Sequence, residues 1–176
     1  MGRNKASPGR NDLGSNRGWV LWLMRGWALI GLIGFLIPYG RALYSTIAQN
    51  LSVISLAAGT FVFSQRIDQI VPAAVLLLLP LSVFALSILR KPYEKRFGYA
   101  VAAVLAVCVL LCNHAVKQET VTQCAEYGYI FQPGMGYYAL LAFGWGVLIS
   151  SAFMLLLPYQ RPFFLSARRA EEDWER

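Results

Sequence analysis

Three uncharged runs constrain this chain more than any other feature of it. Gln69 to Leu89 carries no Asp, Glu, Lys or Arg over 21 residues, Phe97 to Val116 none over 20, and Tyr127 to Gln160 none over 34. At about 1.5 Å of rise per residue, each run as a helix covers the ~30 Å of hydrocarbon in a bilayer. The remaining composition agrees, with 57% hydrophobic and only 14% charged residues, where a soluble domain has roughly a quarter charged. The lipid bilayer is therefore the expected environment.

A fourth span is expected in GWVLWLMRGWALIGLIGFLIPYG, although Arg25 lies inside it. Arg25 and Arg41 are sixteen residues apart, about 24 Å along a helix, so their side chains are expected to snorkel to opposite interfaces. Trp19, Trp22 and Trp27 then fall in one headgroup belt and Tyr39 near the other. A cleavable signal peptide ending near Thr46, Ile47 and Ala48 is the rival, but the apolar region exceeds a typical signal core.

With helices at about 20–40, 70–89, 98–116 and 138–158, the remaining cations sort into two compartments. Thirteen of the sixteen fall on one side and only Arg41, Arg66 and Lys117 on the other. That asymmetry places both termini in the cytoplasm of a bacterial inner-membrane protein. The formal charge of +7 thus needs no nucleic acid to explain it. The expected organisation is a basic, flexible N-terminus over 1–18, a four-helix membrane domain over 19–159 and a charged cytoplasmic tail over 160–176.

Residues 42–65 are also uncharged, but a fifth span there would leave seven cations inside and nine outside, against the charge rule. At helical spacing Ile47, Leu51, Ile54, Ala58 and Phe61 share a face, with Gln49, Ser52 and Thr60 largely opposite. The expectation is an amphipathic helix in the outer interface, within an otherwise all-α integral membrane fold. Pro-Tyr-x-cation recurs at 38–41, 92–95 and 158–161, each time where an apolar run ends. Proline disfavours helix in the residue before it and tyrosine suits the headgroup boundary, so the tetrapeptide reads as a membrane exit.

Residues able to carry chemistry are few. Cys108 and Cys112 lie four apart and read as small buried hydrophobes, while Cys112 and Cys124 are a candidate disulfide if the outer compartment is oxidising. His114 is the only histidine, and an isolated intramembrane imidazole is a candidate proton relay or ligand. The spacing matches neither a zinc site nor a Cys-x-x-Cys centre. No phosphate loop, His-Glu-x-x-His or nucleophile elbow occurs, and all nine acids are expected in loops or tails. No cofactor is implied. Ala142, Gly146 and Ser150 form a small-residue stripe suited to close helix packing, either within the monomer or against a partner, and Ala102 and Ala106 a shorter one. Pro80 is expected to kink its helix.

The resulting expectation is a non-enzymatic multi-pass protein working through helix contact with another membrane protein or a second copy of itself. Accessory subunits and immunity or exclusion factors act in this way, and the layout is similar in outline to immunity proteins against pore-forming colicins, with no shared motif. The alternative is a membrane thiol or quinone oxidoreductase using Cys112, Cys124 and His114.

Overall fold

The computed structural model describes residues 12–88 and 96–156. In chain order these form α1 (Asp12–Leu36), β1 (Gly40–Tyr44), β2 (Ile47–Leu51), α2 (Val53–Ala58), β3 (Thr60–Val62), β4 (Gln65–Ile67), α3 (Val71–Ile88), α4 (Arg96–Glu126), β5 (Ile130–Pro133) and α5 (Met135–Leu156). Four of the helices, α1, α3, α4 and α5, are long and apolar enough to cross a membrane. PYEK, PYQR and the expected tail lie outside the described residues, as does the N-terminus before Asp12.

The four long helices close into a ring in which α1 packs on α3 and α5, and α4 packs on the same two. Small and branched side chains fill the centre, among them Ala28, Leu76, Val83, Ala102, Ala106, Val109, Leu140 and Val147, all fully buried. The outward faces are equally apolar: Leu29, Leu78, Val104, Leu111, Trp145, Ile149 and Phe153 are all exposed. A helix that is hydrophobic all round suits a lipid surround and not water. Pro80 is buried inside α3, which continues on both sides of it.

Residues 42–65 do not form the single amphipathic helix expected from their spacing. They fold as two hairpins, β1–β2 and β3–β4, joined by the six-residue α2, and β5 returns to pair with β1 in a β2-β1-β5 sheet. The fold is therefore helical with a small β cap at one end of the bundle, and not all-α. The helical face read at 47, 51, 54, 58 and 61 does not exist, since Leu51 is buried whereas Ile47, Ile54 and Phe61 are exposed. Alternation rules instead: in β1, Gly40 and Ala42 face inward and Arg41 outward. Each hairpin turns on two residues, with φ +54° at the first, Ser45 in one and Phe63 in the other. Glycine is the usual occupant of such positions, so the sequence carries no Asn-Gly or Gly-x signal there.

The cap is knitted to itself by Gln49. Its Nε2 donates to the Phe61 carbonyl at 2.8 Å and its Oε1 accepts from the Phe63 amide at 2.8 Å. One side-chain amide thereby does for the two sheets what a strand would do. Ser52 caps α2 by accepting from the Ser55 amide at 3.1 Å, while the Ser55 hydroxyl accepts from the Ser52 amide at 3.0 Å.

Candidate functional site

The side-chain hydrogen bonds that join one long helix to another element lie toward the two ends of the bundle. At the cap end, Pro38 follows the close of α1 and delivers Tyr39 into the interior. Its fully buried ring lies 6.3 Å from Phe131 and edge-on to Tyr137 at 5.8 Å. Tyr39 Oη donates to the backbone carbonyl of Asn113 at 2.9 Å. Burial, and secondarily the neighbouring Tyr137, pushes the Tyr39 phenol far above its ordinary value.

Asn113 is fully buried in α4 and faces two elements at once. Its Nδ2 donates to the Tyr137 carbonyl in the first turn of α5 at 3.4 Å, and its Oδ1 is buried without a partner. One helical turn farther, the Lys117 Nζ stands 5.4 Å from the centre of the Tyr137 ring. Asn113 thus ties α4 to α5 and, through Tyr39, to the start of the cap. The sequence reading passed over it between two cysteines and a histidine. The signal available was an amide in an apolar run, where polar side chains usually meet a partner.

At the opposite end, Arg25 does not snorkel outward as expected. It reaches across to α3, where its Nη2 donates to the Ser87 carbonyl at 3.1 Å, and its Cζ lies 5.2 Å from the Trp22 ring. Ser87 is in the last turn of α3, whose carbonyls lack intrahelical donors and carry partial negative charge. The guanidinium closes that end.

The remaining predicted residues are dispersed. Cys108, Cys112 and Cys124 are all free and all on α4. Because α4 runs ten residues beyond the expected 116, Cys124 is not in a loop. It stands twelve residues, about 18 Å, along one helix from Cys112, and a disulfide needs Cα atoms within about 7 Å. The pairing of Cys112 with Cys124 is therefore corrected. Cys124 is buried, and Cys108 and Cys112 pack half-buried against the core. His114 points outward from α4, away from Asn113.

The small-residue stripe divides. Gly146 and Ser150 are buried in the bundle and Ala142 is exposed. A Cβ on Gly146 would collide with the Trp27 ring, and Ser150 Oγ donates to the Gly146 carbonyl at 2.6 Å. Gly146 thus serves the contact of α5 with α1. Three glycines that the sequence reading did not single out extend this seam. A Cβ on Gly31 would stand 2.8 Å from Phe143 Cγ, one on Gly34 would stand 3.2 Å from Ala139 Cβ, and one on Gly136 would stand 2.8 Å from the Gly34 carbonyl. The backbones of α1 and α5 approach closely because side chains are missing there.

Among the described residues, no group of three His, Cys, Asp or Glu side chains converges to hold a metal ion. The hydrogen bonds of Arg25, Tyr39 and Asn113 tie one element to another. Comparison with protein-family models, curated proteins and solved structures gives no match, so the functional reading rests on the chain's own residues.

Proposed function

We propose that this chain is a multi-pass protein of a bacterial inner membrane that acts without catalysis, by contact with another membrane protein or a second copy. Accessory subunits and immunity or exclusion factors work in this manner. The observation that carries the reading is the allocation of side chains. The hydrogen bonds of Arg25, Tyr39 and Asn113 tie helix to helix or helix to cap, while large apolar side chains project from every long helix. The charge pattern supports cytoplasmic termini, because Arg41, Arg66 and Lys117, the three cations of the sparse side, all belong to the cap end.

With Gly146 and Ser150 turned inward, the contact moves to the outward row of α5, formed by Tyr138, Ala142, Trp145, Ile149 and Phe153. Ala142 lies in that row between the exposed Tyr138 and Trp145, a notch between large neighbours into which a partner's side chain fits. The oxidoreductase alternative requires Cys112, Cys124 and His114 to meet, and they occupy different faces and levels of α4.

The test is co-purification from native membranes in mild detergent. Ala142→Trp, which fills the notch, is expected to lose the associated membrane protein at unchanged abundance. The combined Cys112→Ser, Cys124→Ser and His114→Gln variant is expected to keep it. Loss in the triple variant with retention in Ala142→Trp would reverse the choice between the two readings.

A further inference from the structure

The cap carries large apolar side chains that cover nothing in the bundle: Tyr44, Ile47, Ile54, Phe61 and Ile130 are each more than half exposed. What covers Ile54, on α2, follows from the lengths of the elements around it. α3 has 18 residues, about 27 Å, and no charge, so in a bilayer it is consumed in crossing ~30 Å of hydrocarbon. Its first residue, Val71, must then stand at the hydrocarbon edge.

The cap has no spacer that would lift it away from that edge. The Ile70 amide donates to the Leu56 carbonyl at 2.9 Å, which seats α2 directly on the end of α3. Gly136 donates to the Pro38 carbonyl at 3.0 Å and Gly134 to the Tyr39 carbonyl at 2.8 Å, which fixes β1 and β5 to the start of α5. Only three residues separate β4 from α3 and one separates β5 from α5. The headgroup layer is roughly 5–7 Å deep on each side. Ile54 is two residues from Leu56, on the helix held at that edge. Phe61 stands farther out, since it pairs with Arg66, beyond the Asp68 amide that donates to Gln123 Oε1 at 3.1 Å near the end of α4. Ile54 therefore lies within a layer that accepts apolar and aromatic side chains.

From these lengths and tethers we infer that α2, at the base of the β cap, is seated in the headgroup layer of the bilayer, with Ile54 in contact with phospholipid and not with water or a protein partner. α4 passes through this layer, and the hairpins rise beside it. Its 31 residues amount to about 46 Å, so roughly its last ten stand beyond the hydrocarbon as a post against which the cap folds. The inference rests on the reading that the four helices span a bilayer.

The test uses the full chain with a benzoylphenylalanine photocrosslinker at Ile54 or at Leu78 in the middle of α3, reconstituted in vesicles of phosphatidylethanolamine and phosphatidylglycerol. Both sites are exposed, so the probe displaces no core side chain. Intact-protein mass after irradiation is expected to increase by one phospholipid at both. A lipid adduct at Leu78 with none at Ile54 would overturn the seated α2 while leaving the spanning helices in place. No lipid adduct at Leu78 would overturn the spanning reading and the inference with it.

Discussion

The Trp27 ring occupies the space where a side chain on residue 146 would begin: a Cβ built on Gly146 falls 2.7 Å from Trp27 Cε3 and nearer still to the ring-fusion carbons. Gly146 is therefore a contact between α5 and α1 of the same chain. Gly146→Leu is expected to push the two helices apart and cost at least the ~1–3 kcal/mol typical of overpacking. Protein level in the membrane and thermal unfolding in detergent should both fall. Normal abundance with a changed oligomeric state would instead return Gly146 to an intermolecular surface.

Tyr39 links the cap to Asn113, and its ionisation supplies a pH signature. Its folded-state value is raised by burial, whereas the unfolded chain ionises near 10.0. Below that value both states keep the proton and the contribution is fully present. As pH rises above about 10 the unfolded state loses its proton first, and stability falls. Tyr39→Phe removes the Oη hydrogen bond to Asn113, so it should lower stability at neutral pH by about 1 kcal/mol. It should also flatten the alkaline decline seen in the parent. Parallel pH profiles of Tm for the two proteins would contradict this.

The two hairpin turns make opposite predictions for the same substitution. Ser45 is exposed at φ +54°, so Ser45→Gly relieves backbone strain at no packing loss and should stabilise by up to about 1 kcal/mol. Phe63 has the same φ, but its ring lies 5.1 Å from Tyr129 and 6.0 Å from Tyr44. Phe63→Gly relieves the strain and removes those contacts, each worth ~0.5–1.5 kcal/mol, and should destabilise. Thermal unfolding of both variants against the parent checks the sign.

These turns also show why the cap was illegible in the sequence. Its hairpins are closed by Ser-Thr and Phe-Ser, residues that announce no turn. Its strands are three to five residues long, too short for alternation to outweigh a chance helical spacing. The spans were legible because charge is excluded from hydrocarbon over a length that only a helix of about twenty residues can match. Cys124 shows the limit of that logic. Lys117 ended the apolar run, but α4 continues to Glu126 because the cap folds around its last turns and gives them tertiary support. Asn113 was readable only as a polar residue in an apolar helix; its partners, Tyr39 and Tyr137, come from 74 and 24 residues away.

Arg25 closes the end of α3 by a bond that a shorter cation cannot reproduce. Arg25→Lys loses the planar fork and Arg25→Met the charge as well. Hydrogen bonds from charged groups contribute about 1.5–3 kcal/mol, so unfolding in detergent should come earlier in both variants, with Arg25→Met lower. Equal stability of all three proteins would show that the Ser87 carbonyl needs no such donor.

In the proposed topology the bundle crosses the membrane with its termini on one side and its cap on the other. A reporter active only in the cytoplasm tests this directly, fused after Trp174, within residues 91–96, or near Gln123 at the cap end of α4. Activity after Trp174 and within 91–96, with silence near Gln123, is the predicted result. Activity near Gln123 would place the cap in the cytoplasm and contradict the account.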